Sequence, residues 1–122
     1  MATRYEVAAR STDVFGRVLC SARDHHFVID GPVQNDCPGE EVTPAEAFLA
    51  GIAACSVELI HVFAREEELP LRSVRADIAG DLDRENPTRP DVTVFNRVTL
   101  RIELEGVEDE DAERLVERFK GR

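Results

Sequence analysis

The chain has 122 residues, 43% hydrophobic and 33% charged, with a formal net charge of -10. That makeup suits one folded domain with one core and argues against disorder. The negative charge speaks against nucleic acid, whose phosphates select Lys/Arg-rich faces, and against anionic membrane surfaces.

The N-terminus, MATRYEVAARSTD, offers no apolar run that could serve as a secretory signal. The longest uncharged apolar stretch, Ala47 to Val57, is far short of the ~20 residues of a membrane span. A soluble, cytoplasmic protein is expected. Cys20, Cys37 and Cys55 are odd in number and widely spaced, without C-x-x-C. Free thiols in a reducing compartment fit them better than a disulfide framework or a zinc knuckle.

The first third reads as strands. Tyr5, Val7 and Ala9 alternate with Glu6, Ala8 and Arg10, and Ser11-Thr12-Asp13 is a turn signal. Val14 to Ala22 is a second strand with Gly16 a bulge, and His25 to Ile29 a third, which predicts an antiparallel meander. Asp30 to Val42 is a loop rich in Gly and Pro.

T-P-A-E, Thr43 to Glu46, is a capping box: Thr43 caps, Pro44 opens the helix and Glu46 reaches back. A helix follows to about Glu68, with Phe48, Ile52, Cys55, Leu59 and Val62 or Phe63 on an apolar stripe. Ala47, Ala50, Gly51, Ala53 and Ala54 make its first half narrow, so that half is expected to be buried on several sides. Val74 to Leu82 is a strand, 83–90 a turn, and Val92 to Leu104 another strand ended by Gly106. Ala112, Leu115, Val116 and Phe119 mark a last amphipathic helix. The order βββ-α-ββ-α is an α+β fold, with helices against one face of a mainly antiparallel sheet.

Cys55 is the leading candidate for chemistry, although a free cysteine packs equally well as a small apolar residue. A reactive thiol needs a cation, a base or a helix N-terminus beside it. Cys55 lies about three turns into its helix, too deep for the helix end to ionise it. His61 lies roughly on the opposite side of the helix. Glu46 is a candidate acid, but nine positions of helix put it ~13 Å along and about 180° around from Cys55. Glu58, three residues after Cys55, is closer and serves equally well as a surface charge. His25 and His26 point to opposite faces of their strand, and no cluster has metal-ligand spacing. Cys20 and Cys37 carry no motif, and there is no P-loop, G-x-G-x-x-G or G-x-S-x-G.

A-R-D-H-H-F-V-I-D-G-P (Ala22 to Pro32), T-P-A-E-A-F-L-A-G-I-A-A-C (Thr43 to Cys55) and L-P-L-R-S-V-R-A-D-I (Leu69 to Ile78) occur in that order. Together they resemble the OsmC/Ohr superfamily, the osmotically inducible protein C and organic hydroperoxide resistance proteins. The resemblance implies an intertwined homodimer with a curved antiparallel sheet and long central helices buried together. It implies reduction of organic hydroperoxides or hydrogen peroxide without a cofactor, with Cys55 as the peroxidatic thiol. An Arg near the end of the first strand would hold the thiolate: Arg10, with Arg17 an alternative. A Glu from the helix start would assist.

Two departures stand out. In the organic-hydroperoxide branch a Glu directly follows the proline, whereas here Ala45 does and Glu46 comes one position later; given the helix geometry, Glu46 would have to reach a Cys55 of the other subunit. The family's second, resolving cysteine would follow D-A-E-R-L-V-E-R-F-K-G-R, where the chain stops at Arg122. Residues 1–122 therefore read as one OsmC-like domain lacking the family's C-terminal segment. The expected function is thiol peroxidase, recycled by an external thiol. The alternatives are a non-enzymatic dimer that binds a small apolar ligand at its interface, and a structural stress protein.

Overall fold

A computed structural model describes residues 2–122. They form β1 (Ala8–Ser11), β2 (Arg17–Ala22), β3 (His25–Asp30), a single 3-10 turn (Val33–Asn35), α1 (Pro44–Glu66), β4 (Ser73–Asp81), β5 (Arg97–Glu105) and α2 (Asp109–Lys120). This is the expected βββ-α-ββ-α order. The strands form two antiparallel sheets, β1-β2-β3 and β4-β5. The chain divides into two compact units, one up to Phe48 and one from Leu49 to Arg122, with α1 running across the boundary.

In the first unit, β2 pairs with β1 through Arg10↔Leu19 and with β3 through Arg17↔Asp30 and Cys20↔Phe27. Its second strand starts three residues later than expected. Thr12 Oγ1 accepts from Val14 N at 3.1 Å and donates to Arg17 O at 3.0 Å, and Gly16 takes a φ of 81°, so 12–16 close as a turn. Cys37 is wedged over Gly16 and Gly31, where a Cβ on either glycine would collide with its sulfur.

The second unit holds the apolar core. Ile60, Phe63 and Ala64 of α1 are buried with Leu115 of α2, and Val74, Ile102 and Leu104 pack against them. Inward positions alternate along β4 and β5 and meet in register, as Val74↔Leu104, Ala76↔Ile102 and Ile78↔Leu100. Strand β5 begins at Arg97 rather than Val92. Asn96 breaks the approach, its N–H bonded to Asp81 O at 2.8 Å and its side chain to Asp83 N at 2.7 Å and Asn86 O at 2.6 Å. These bonds turn 82–96 into a loop instead of a ladder.

The sequence underestimates α1 in one respect. It alone among the described helices is long and apolar enough, by length and composition, to cross a membrane. Its buried Ile60, Phe63 and Ala64 instead pack with α2 and the β4-β5 sheet, as a core helix does. The expected burial of its narrow half is not met within the chain. Phe48, Ala50, Gly51, Ala54 and Cys55 are all exposed, and a Cβ at Gly51 would meet nothing within 4 Å. The chain's own core covers the C-terminal half of α1 only.

Candidate active site

Cys55 is a free, exposed thiol on α1, one helical step before the buried Ser56. The Ser56 hydroxyl donates back to Ala53 O at 2.6 Å, which faces it inward and leaves Cys55 on the open side. Glu58, three residues on, is exposed near that side, and His61 is exposed farther round the helix. Cys20 is buried in β2 and Cys37 half-buried, its thiol 3.5 Å from Asn35 O; none of the three is in a disulfide.

Glu46 forms the expected capping box. Its Oε1 accepts from Thr43 N and from Thr43 Oγ1, both at 2.9 Å, and its own N–H lies 3.4 Å from Thr43 Oγ1. The Thr43 amide, and then the Thr43 hydroxyl, hold the Glu46 carboxyl below its usual range. The side chain is thus an ionised carboxylate at neutral pH.

The two candidate arginines differ sharply. Arg17 meets Asp30 as a fork, Nε to Oδ1 at 2.8 Å and Nη2 to Oδ2 at 2.9 Å, and Nη2 also reaches Glu40 Oε1 at 3.0 Å. Asp30 is fully buried, and its Oδ2 accepts the backbone N–H groups of Glu40 and Glu41 at 3.0 Å each. The Arg17 bonds above all hold the Asp30 carboxyl far below the carboxylate range, and the same bonds raise Arg17. Arg10 sits on β1, whose outer edge is unpaired among the described residues, and is exposed. No described residue makes an ion pair or hydrogen bond to its side chain.

Asp30 and Glu40 did not stand out in the sequence, because the first ends a strand and the second sits in a loop, thirteen and twenty-three residues from Arg17. The available signal was a carboxylate closing an apolar strand, I-D-G-P, which demands a buried partner. His26 Nδ1 lies 2.8 Å from Ser21 Oγ across the hairpin, and His25 is exposed at the strand start. Among the described residues no three His, Cys, Asp or Glu side chains converge as a metal site.

The model of the OsmC-like protein family matches residues 37–122, which include Glu46 and Cys55. An OsmC-like protein from Mycoplasma pneumoniae superposes with a TM-score of 0.84 at 16% identity, over 100% of this chain and 84% of that one. A Vibrio cholerae protein assigned to organic hydroperoxide resistance gives 0.75 at 23% identity, over 99% and 81%. An organic hydroperoxide resistance protein from Legionella pneumophila gives 0.74 at 21% identity, over 99% and 85%. No curated protein matches the chain. The solved structures at these identities speak to the fold. The family model covers well over half of the chain, and the chain belongs to the OsmC-like protein family.

Proposed function

We propose that the protein is a cysteine-based thiol peroxidase of the cytoplasm that acts as a homodimer on organic hydroperoxides or hydrogen peroxide. The observation that carries the reading is Cys55: a free thiol on the open side of α1, inside the family-matched segment, at the end of the narrow apolar half of the helix. Related folds that confer organic hydroperoxide resistance support the substrate class.

The Cys55 thiolate attacks the distal oxygen of ROOH. The S–O bond forms as the O–O bond breaks, sulfur is oxidised to the sulfenic acid, and the departing alkoxide takes a proton and leaves as ROH. Two equivalents of an external thiol then return Cys–SOH to Cys–SH, releasing water and the disulfide of that thiol. Arg10 is the cation for the thiolate, because Arg17 is committed to Asp30 and Glu40. Glu46 assists from the partner subunit, since its own helix carries it away from Cys55.

The homodimer is supported by the apolar surface of the single chain. Phe15, Phe27 and Phe48 are exposed at 76%, 44% and 59%, and Ala50 and Gly51 of α1 are exposed as well. The test is direct. Cumene hydroperoxide or hydrogen peroxide is added to the reduced protein, and sulfenic acid is trapped and mapped by mass spectrometry. Modification at Cys55, with peroxide consumption abolished in Cys55→Ser, is the expected result. A Cys55 no more reactive than an ordinary exposed thiol would sink the reading in favour of the non-enzymatic ligand-binding dimer.

A further inference from the structure

We infer that Asp30, through Arg17 and the backbone of residues 40–42, is the positioning residue for the Glu46 carboxylate; the inference rests on the peroxidase reading for its kinetic consequence only. The Gly/Pro-rich segment 31–42 would otherwise be free to wander before α1 begins. Its last three residues are instead tied to Asp30, two through the carboxylate and one through the backbone. Asp30 Oδ2 accepts from Glu40 N and Glu41 N, each at 3.0 Å, and Asp30 N donates to Val42 O at 3.0 Å. Gly31 adds two more ties, donating to Gly16 O at 2.8 Å and accepting from Gly39 N at 3.1 Å.

The next residue is Thr43, whose N–H and hydroxyl both point at Glu46 Oε1. Four consecutive residues are therefore fixed: Glu40 and Glu41 on the Asp30 carboxylate, Val42 on the Asp30 backbone N–H, and Thr43 on the Glu46 carboxylate. Arg17 is what lets Asp30 stay ionised while fully buried, since its fork satisfies both oxygens. Glu40 takes part twice: its amide bonds Asp30 and its carboxylate bonds Arg17, closing the loop segment onto the same pair. Neither Asp30 nor Arg17 need touch the peroxide. They set where the chain turns into α1, and so which way Thr43 presents Glu46.

The experiment reads Glu46 itself. Its carboxyl titration is followed by carbon-13 NMR in the full-length wild type, in Asp30→Asn and in Arg17→Lys, which keeps the charge but cannot fork. The Glu46 titration is expected to move up toward the ordinary carboxylate range in Asp30→Asn and, by less, in Arg17→Lys. An unchanged titration in both variants overturns the inference. Should Asp30→Asn fail to fold, Arg17→Lys decides alone.

The kinetic arm is a double-mutant cycle on the second-order rate of Cys55 oxidation. Glu46→Gln should slow it on the order of 10²-fold, the scale of a positioned acid–base group. Asp30→Asn should slow the wild type about tenfold, yet slow the Glu46→Gln enzyme by less than about twofold. Equal slowing in both backgrounds would mean Asp30 acts on the fold and not through Glu46, and overturns the inference. A wild type in which peroxide leaves Cys55 untouched defeats the peroxidase reading, and the titration then judges the positioning role without it.

Discussion

A carboxylate that is fully buried must be ionised and partnered, or neutral. Asp30 takes the first course, with two oxygens meeting one guanidinium fork and two backbone amides. Its folded-state carboxyl lies far below the roughly 3.9 of an unfolded aspartate. The stabilisation it supplies is therefore present in full above the unfolded value and is lost as pH falls below it. Glu46, Glu67, Asp77 and Asp83 are shifted in the same direction, each first by a hydrogen bond to its neighbour. The urea midpoint should hold level from pH 7 to about 5 and drop steadily below about pH 4. Asp30→Asn should be less stable at pH 7 and show a visibly shallower acid decline. An Asp30→Asn curve parallel to wild type would remove Asp30 from the acid response. The neighbouring case of Glu46 was legible in the sequence because a capping box is a four-residue local signal. The Arg17–Asp30 pair was not, because the two side chains meet only once β2 and β3 have paired.

At the scale of the element, α1 shows how local chemistry decides where a helix stops. Leu69 N bonds Ala64 O at 2.9 Å and Glu68 N bonds Arg65 O at 3.1 Å, the paired closure of a Schellman motif. Glu68 occupies its left-handed position with φ 55°, where glycine is the usual residue, and Pro70 follows. The motif seats Leu69 against the core. Glu67 pins the other side, accepting Arg114 at 2.7 Å and Arg118 at 2.8 Å, while the Arg118 guanidinium lies 4.1 Å from the Phe63 ring centre. Glu68→Gly removes the Cβ strain without touching these contacts. It should stabilise the protein by about 1 kcal/mol, read as a higher urea midpoint at unchanged slope. A lower midpoint would show that the backbone entropy added by glycine outweighs the relieved strain. The helix end near Pro70 and the alternation along β4 were readable as patterns. The start of β5 was not, since Val92 and Val94 continue the strand pattern and only the side-chain bonds of Asn96 take the chain off the ladder.

At the scale of the molecule, the sequence called for the small-residue half of α1 to be buried, and the chain buries only the half that follows it. Sequence patterning reports that a surface will be covered; it does not report by which chain. Gly51 offers a test that separates covering from folding. Its added side chain would enter open space in the single chain, and leucine is the better helix former by about 1 kcal/mol. Gly51→Leu should therefore fold at least as stably as wild type when isolated. If a second α1 lies against Ala50, Gly51 and Ala54, the leucine forces the two backbones apart. Wild type should then run as a dimer in size exclusion with light scattering, and Gly51→Leu as a folded monomer. Because Glu46 is to act across the interface, the monomer should lose peroxide turnover while keeping a free Cys55 thiol. A Gly51→Leu protein that stays dimeric would move the interface to another face of the molecule. A monomer that retains full turnover would show that Cys55 draws its acid and cation from its own chain.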